Sequence, residues 1–352
     1  MSTIQTIGVD LAKNVFSIHG VDAYGKCVLR KTVKRNKLLD TFANLPPCII
    51  GMEACSGAHY WARELTKLGH SPKIMAAKFI ISYRQNEKND ANDAEAICEA
   101  VSRPKTRFVS IKDEEQQAVL CLHRIRHSLI KNRAATINRL QGLLSEFGVI
   151  IPQGRYSLQK AVPSMLEDAN NGIPFLAREL LNDLMSNIKK LNDEILRYDR
   201  KIFQLSREMK QASKLLAVPG VGEHTATAII ATINDGKQFG SSRQFAAWIG
   251  LVPKQYSTGG QTNHGHITKR GEKHIRTLLV HGARAVIAQC KTKTDRTSLW
   301  LQQIVERRGY KKAAVALAAK NARIIWALLT TENEYKANYV NRLPSTSQHN
   351  SN

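Results

Sequence analysis

Four carboxylates stand where the chain changes element. Asp10 closes the short apolar run Thr6-Ile7-Gly8-Val9, and Glu53 closes the run Cys48-Ile49-Ile50-Gly51-Met52. Asp90 and Asp93 open a stretch with a helical pattern, Asp90-Ala91-Asn92-Asp93-Ala94-Glu95. A spacing of three puts both on one helical face. If the two strands are sheet neighbours and the helix packs at their ends, the four acids converge. Four anions share a site only when cations balance them. Mg²⁺ favours carboxylate oxygen and keeps part of its water shell. Two such ions about 4 Å apart clamp the attacking and leaving oxygens of a phosphodiester. Each acid alone has an ordinary explanation: a strand-end Asp caps a turn, and acids in a first helical turn offset the dipole. Their joint placement is what points to metal-assisted phosphoryl chemistry.

The elements that would position them read as an α/β sheet. Residues 6–10 and 15–20 form a hairpin around the turn Leu11-Ala12-Lys13-Asn14, and Cys27-Val28-Leu29 adds a third strand. A short helix over 36–44 is closed by Pro46-Pro47, and the run to Glu53 reads as a buried parallel strand. A helix over 59–68, a strand over 73–75 and the helix from Asp90 follow. Three strands, then alternating helix and strand, predict an antiparallel start with a parallel continuation.

Two long helical patterns come next, over 113–148 and 174–213, separated by a polar gap containing Pro152, Gly154 and Pro163. In the second, Leu184, Ile188, Leu191, Ile195, Tyr198, Ile202 and Leu205 alternate spacings of four and three, a heptad seam. The pair predicts an antiparallel coiled-coil arm, a device for self-association or spacing. Val218-Pro219-Gly220-Val221-Gly222 then breaks the helix and a small-residue helix restarts at Glu223. This is the pattern of a helix-hairpin-helix, in which Gly220 and Gly222 let backbone and helix N–H groups approach a phosphate. A capped helix over 241–250 leads into a loop rich in hydroxyls and glycine, Lys254-Gln255-Tyr256-Ser257-Thr258-Gly259-Gly260. Lys269, Arg270, Lys273 and Arg276 follow it as candidate nucleic-acid contacts. From Asn338 the chain is polar and rich in Ser and Asn, the composition of a disordered tail.

The chain has 352 residues, 43% of them hydrophobic, and 52 Lys+Arg against 29 Asp+Glu, a net charge of +23. An excess this large points to a polyanion, and nucleic acid is the commonest one. No basic helix carries a Trp/Phe face of the membrane-surface kind, and no apolar run approaches the roughly 20 residues of a membrane span. The N-terminus enters a strand without a signal-peptide pattern, which predicts a cytoplasmic protein. Six cysteines without a C-x-x-C pair predict mostly buried, reduced thiols and no zinc ribbon. His123 with His127, and His264 with His266, lack a third ligand nearby and read as surface or phosphate-contacting residues.

The set of motifs resembles the DEDD transposases of insertion sequences of the one-ten and eleven-eleven type, relatives of the Piv DNA invertases. The resemblance rests on Ile7-Gly8-Val9-Asp10-Leu11-Ala12-Lys13, Gly51-Met52-Glu53-Ala54 with Ser56-Gly57, and Lys88-Asn89-Asp90-Ala91-Asn92-Asp93-Ala94. It continues in Val218-Pro219-Gly220-Val221-Gly222, Phe245-Ala246-Ala247-Trp248-Ile249-Gly250-Leu251-Val252-Pro253, Ser257-Thr258-Gly259-Gly260 and Ile267-Thr268-Lys269-Arg270-Gly271. It implies a RuvC-like domain of RNase H fold over 1–110 and a coiled-coil arm over 111–213. A mainly helical C-terminal transposase domain follows over 214–335, and then a tail over 336–352. It implies Asp10, Glu53, Asp90 and Asp93 as ligands of two Mg²⁺, with Mn²⁺ as a substitute. It implies recombination of double-stranded DNA guided by a structured RNA, the bridge RNA; the heptad seam favours a homodimer or homotetramer, and such a protein would be nucleoid-associated when active. The family's serine nucleophile falls on Ser257, with Thr258, which directly precedes the glycine, as the neighbouring hydroxyl.

Two other readings compete. A RuvC-like junction nuclease would use water in place of serine. A non-catalytic DNA-bridging protein would need the hairpin helices and the arm alone, but four acids at element ends oppose DNA binding unless metal is present.

Overall fold

Strand pairing follows the apolar alternation of the first fifty residues. The computed structural model describes residues 3–337 except 86, 88 and 153, so the polar stretch from Asn338 lies outside the described residues. The chain forms two compact units, Met1–Gln117 and Ala118–Asn352. The first contains β1 (Thr6–Asp10), β2 (Val15–Val21), β3 (Cys27–Lys34), α1 (Leu38–Ala43), β4 (Ile49–Glu53), α2 (Ala58–Lys67), β5 (Ser71–Met75), α3 (Asp90–Val101) and β6 (Phe108–Val109). They build one mixed sheet in the order β3-β2-β1-β4-β5-β6. β1, β2 and β3 pair antiparallel, whereas β1, β4 and β5 pair parallel, as the element order predicts. The two-residue β6 pairs antiparallel to β5 and is too short to leave a periodic signal. Ile7, Val9, Phe16, Ile18, Ile50 and Met52 form a core with Phe42, Trp61 and Leu65. Phe16 meets Trp61 edge to face at 5.2 Å, a favourable aromatic geometry.

Glycine sets the distance between this sheet and α3. A Cβ on Gly8 would run into the Ala94 carbonyl and the Cys98 backbone, and one on Gly51 would lie 2.9 Å from Val101 Cβ. The Cys98 thiol reaches the Thr6 carbonyl at 3.6 Å. As β1 runs from Thr6 through Gly8, it therefore meets α3 first at Cys98 and then at Ala94. Helix and strand run in opposite directions, and the first turn of α3 lies toward the Asp10 end.

The second unit holds most of α4 (Glu114–Glu146), then α5 (Arg155–Glu167), α6 (Phe175–Glu208), α7 (Lys210–Leu216), α8 (Glu223–Ile233) and α9 (Ser242–Ile249). A hairpin of β7 (Pro253–Thr258) and β8 (Gln261–Ile267), then α10 (Lys273–Gln289), α11 (Arg296–Arg308) and α12 (Tyr310–Thr330), complete it. Arg133 Nη1 donates to Asn192 Oδ1 at 2.8 Å, and two turns earlier on α4 Arg126 pairs with Asp199, two turns later on α6. The helices are thus antiparallel. Ile188, Ile195 and Ile202 of the heptad seam are buried, one per heptad. The expected polar gap is in part helix α5, whose Leu158 and Val162 bury against Leu140, Leu144, Leu181 and Ile188. Met165 and Leu166 pack against the same core, and Pro163 inside the helix and the neighbouring Pro152 and Gly154 are what disguise it in the sequence. The expected single helix to residue 213 breaks at Met209, whose extended backbone (ψ 104°) separates α6 from α7.

Helix α12 is long and apolar enough to cross a membrane by length and composition. Here it is a core helix: Ala313, Leu317, Ala318, Ala322 and Ile325 bury against α7, α8, α9 and α10. Of the six cysteines, Cys48, Cys98 and Cys290 are buried and Cys27, Cys55 and Cys121 exposed, so the expected mostly buried set holds for half of them.

Candidate active site

The last register pair between β1 and β4 is Val9 with Met52. Asp10 and Glu53 are the next residues on each strand, so they end adjacent parallel strands side by side. Both are partly exposed. Cys55, just beyond β4, feels both: burial, then Glu53, then Asp10 push its thiol up. Asp90 and Asp93 lie in the first turn of α3, where Asn89 Oδ1 caps the helix by accepting from Asn92 N at 2.8 Å. The antiparallel path of α3 over β1 brings this turn toward Asp10. Asp93 is engaged by a residue the sequence reading did not single out. Arg84 Nη1 lies 3.2 Å from Asp93 Oδ1, with both side chains partly buried.

Among the described residues, no three His, Cys, Asp or Glu side chains lie close enough to hold a metal as they stand. The donor set is nevertheless of the right chemistry. It offers carboxylate oxygens alone, two from strand ends and two from a helix start, which suits a hard divalent cation. A polar cavity of about 500 Å³ lined by Thr6, His19, Asp22 and Glu95 lies at the opposite end of β1 from Asp10 and takes no part in this arrangement.

Ser257 is on a strand. The expected loop is the β7–β8 hairpin, which sequence periodicity missed because every residue from Pro253 to His266 is exposed and no apolar alternation marks it. Gly259 (φ 54°) and Gly260 (φ 78°) make its two-residue turn, where two left-handed residues suit the twist of the strands. Gln255 pairs with His264, Ser257 with Thr262 and Thr258 with Gln261. Side chains alternate along a strand, so Ser257, Gln255, Thr262 and His264 share one face and Thr258 lies on the other. Gln255 Nε2 donates to Ser257 Oγ at 2.9 Å, and Thr262 Oγ1 is 3.3 Å from the same atom.

The base of the hairpin is fixed by close backbone contacts. A Cβ on Gly250 would collide with the Arg270 carbonyl, and one on Gly271 with the Trp248 carbonyl. Arg276 Nη1 donates to the Ile249 carbonyl at 2.6 Å and to that of Arg270 at 3.2 Å. Its guanidinium therefore holds the ends of α9 and the hairpin together. Lys254, Lys269, Arg270 and Lys273 are exposed. In the Pro-Gly-x-Gly turn, Gly220 (φ 85°) packs on the backbone of Gly282 in α10, while Gly222 at the start of α8 faces open space.

A second site missed by sequence lies where α4, α6, α8 and α10 meet. His123, expected on the surface, is buried, with its ring 5.8 Å from that of His274 and 6.4 Å from that of His224. His123 Nε2 lies 3.0 Å from Thr227 Oγ1, whose hydroxyl donates to the Glu223 carbonyl, so the histidine is the donor of the pair. Burial, reinforced by His274, His224 and Arg126, pushes His123 down to about 3. His224 Nε2 donates to Asp199 Oδ1 at 2.8 Å, beside Arg126. Burial alone would raise the Asp199 carboxyl, but the hydrogen bonds from Arg126 and His224 outweigh it and hold it low.

The chain thus joins an α/β unit, with Asp10 and Glu53 at two strand ends and Asp90 and Asp93 at a helix start, to a mainly helical unit. Residues 7–149 match the DEDD transposase family model of the IS110 type, and residues 212–298 match the transposase family IS116/IS110/IS902. The chain is 47% identical to "Probable family 20 transposase" of Pseudomonas aeruginosa, over 95% of this chain and 99% of that one. It is 40% identical to the transposase for insertion sequence element IS1111A of Coxiella burnetii, over 96% and 92% respectively. A shorter match, 32% identical over 26% of this chain and 30% of the other, is to the pilin gene-inverting protein of Moraxella bovis. The chain belongs to the IS110/IS116 family of insertion-sequence transposases. Its DEDD domain implies dependence on a divalent metal.

Proposed function

We propose that this transposase is a site-specific, RNA-guided DNA recombinase that cleaves through Ser257, with Asp10, Glu53, Asp90 and Asp93 holding two Mg²⁺. The observation that carries the reading is the in-register ending of β1 and β4 on Asp10 and Glu53, with the acidic first turn of α3 running toward them. The sheet order β3-β2-β1-β4-β5 supports an RNase H fold of the RuvC-like kind for residues 1–110. The antiparallel α4–α6 pair supports a coiled-coil arm over 111–213, and the turn at Gly220 and Gly222 supports a helix-hairpin-helix in the domain over 214–335. The net charge of +23 supports a nucleic-acid partner in addition to the DNA substrate, namely a structured RNA of the parent element. The heptad seam supports a dimer or tetramer.

The acids and the hairpin have separate roles. Bound Mg²⁺ would offset the charge on the phosphodiester and stabilise the leaving oxygen. The four carboxylates hold that charge in place. Gln255 and Thr262 orient Ser257 Oγ, and the tight Gly259-Gly260 turn lets the hairpin tip approach the backbone of DNA. Ser257 Oγ gives its proton to water as it attacks phosphorus, the P–O bond to the strand breaks, the leaving oxygen takes a proton from water, and the phosphoserine link conserves the bond energy for rejoining. Lys254, Lys269, Arg270 and Lys273 offset phosphate charge, and Arg276 acts through the backbone it holds.

The test mixes the full chain with element-end DNA and the structured element RNA, with and without Mg²⁺. A covalent protein–DNA adduct is expected only when Mg²⁺ is present. Free nicks without an adduct would mean a nuclease, and binding without cleavage an architectural protein. Equal retention of unrelated RNA of the same length would remove the guided mechanism.

A further inference from the structure

We propose that Arg84 is an internal counter-cation that competes with metal for Asp93, so that loading of the acidic site is coupled to the arrival of DNA. The inference rests on the metal-site reading above and extends it. Its physical basis is the Arg84–Asp93 pair, 3.2 Å apart with side chains 29% and 19% exposed. Clustered acids without metal repel one another, and a guanidinium on one of them relieves part of that repulsion. A carboxylate oxygen engaged by arginine is unavailable to a cation. Metal entry at Asp93 therefore requires Arg84 to let go.

The released guanidinium needs a new partner. A phosphate at the site offers one, because arginine binds phosphate and carboxylate through the same planar set of donors. DNA would then draw Arg84 off Asp93 and favour metal binding, and metal would in turn favour DNA, since coupling between two ligands is reciprocal. Without DNA the pair keeps the site under-loaded. Arg84 is thus a positioning residue for the acidic site. Neither its position nor its spacing from Asp93 marks it in the sequence, since a partner nine residues away sits off the helix.

The experiment measures Mn²⁺ binding to the full chain, counting free Mn²⁺ by its spin resonance, with and without a short DNA duplex. Arg84→Gln is expected to tighten Mn²⁺ binding roughly three- to tenfold without DNA, the range of a partly shielded ion pair. DNA is expected to tighten the wild type toward the variant and so narrow the gap. In an Asp93→Asn background, Arg84→Gln is expected to have no further effect, the signature of direct coupling. Arg84→Lys, which keeps the charge, reports whether charge alone suffices, and a thermal melt on each variant verifies folding. Unchanged or weaker Mn²⁺ binding in Arg84→Gln, or a gap that DNA leaves intact, overturns the inference. Asp10→Asn separates the two levels: if it leaves Mn²⁺ binding intact, the metal-site reading itself falls. If it abolishes binding while Arg84→Gln changes nothing, only the role of Arg84 falls.

Discussion

Gly8 lies against the Ala94 carbonyl so closely that no side chain fits between them, and this contact fixes the height of α3 above β1. The approach matters for chemistry because Ala94 directly follows Asp93, while Gly8 precedes Asp10 by two residues. One backbone contact thus relates a strand acid to the helix acids. Gly8→Ala must push α3 away or distort β1. Overpacking of this kind costs about 1–3 kcal/mol. A lowered melting temperature and lost recombination are expected together. Gly142→Ala is the control: it sits in α4 with nothing near its Cα, and alanine should stabilise that helix by up to about 1 kcal/mol. A Gly8→Ala protein as stable and active as the parent would show that the approach is looser than described.

Neutralising any of the four acids should separate binding from catalysis. Asp10→Asn, Glu53→Gln, Asp90→Asn and Asp93→Asn are each expected to abolish recombination while retaining DNA and RNA binding. Removing negative charge favours a polyanion, so affinity should hold or rise slightly. Gel shifts and a recombination assay on the same preparations give both readings. A variant with near-normal recombination would take its residue out of the site.

Opposite placement of Ser257 and Thr258 gives the nucleophile assignment a sharp test. Ser257→Ala is expected to abolish the covalent adduct, and Thr258→Ala to retain it, with the modified peptide mapping to Ser257. Both residues are fully on the surface of the hairpin, so neither change should alter stability by more than about 0.5 kcal/mol. An adduct that persists in Ser257→Ala and vanishes in Thr258→Ala would reverse the assignment.

The buried histidines predict acid sensitivity. His123 has a folded value of about 3 against 6.5 for the free group. Between those values the unfolded chain binds the proton that the folded chain refuses. Stability should therefore fall as pH drops below about 6.5, by roughly 1.4 kcal/mol per pH unit for one such group. His274, lowered by burial and by His127, acts in the same direction. Asp199, held low, adds its own loss only below its ordinary 3.8. Denaturant melts of the parent and of His123→Gln between pH 7.5 and 5 should show a shallower slope for the variant. Identical slopes would mean that His123 is not the responsible group.

The acidic half of the site was legible because strands that end on a carboxylate and an acidic helix start both leave local patterns. The side-by-side ending of Asp10 and Glu53 rests on parallel pairing of β1 with β4, which the order of elements predicted. The serine hairpin was read as a loop because a strand exposed on both faces carries no apolar alternation. Helix α5 was hidden because Pro163 lies inside it and Pro152 and Gly154 stand just before it. Arg84 and the cluster around His123 are tertiary facts. Each joins residues from separate turns or helices, and no spacing within one element encodes them. Gly220 shows the converse: its Pro-Gly-x-Gly turn stands out in the sequence, and its glycine is required by Gly282 in α10, a contact that the turn does not contain.

The paired helices α4 and α6 also amount to a ruler. Thirty-four residues of α6 extend about 50 Å at 1.5 Å each, close to fifteen base pairs of duplex at about 3.4 Å per step. Arg126 with Asp199 and Arg133 with Asn192 lock the two helices in one register, so the ruler neither stretches nor slides. Its length can change only in graduations: a whole heptad added to or removed from both helices at once keeps the seam facing inward, while any other increment turns it toward water.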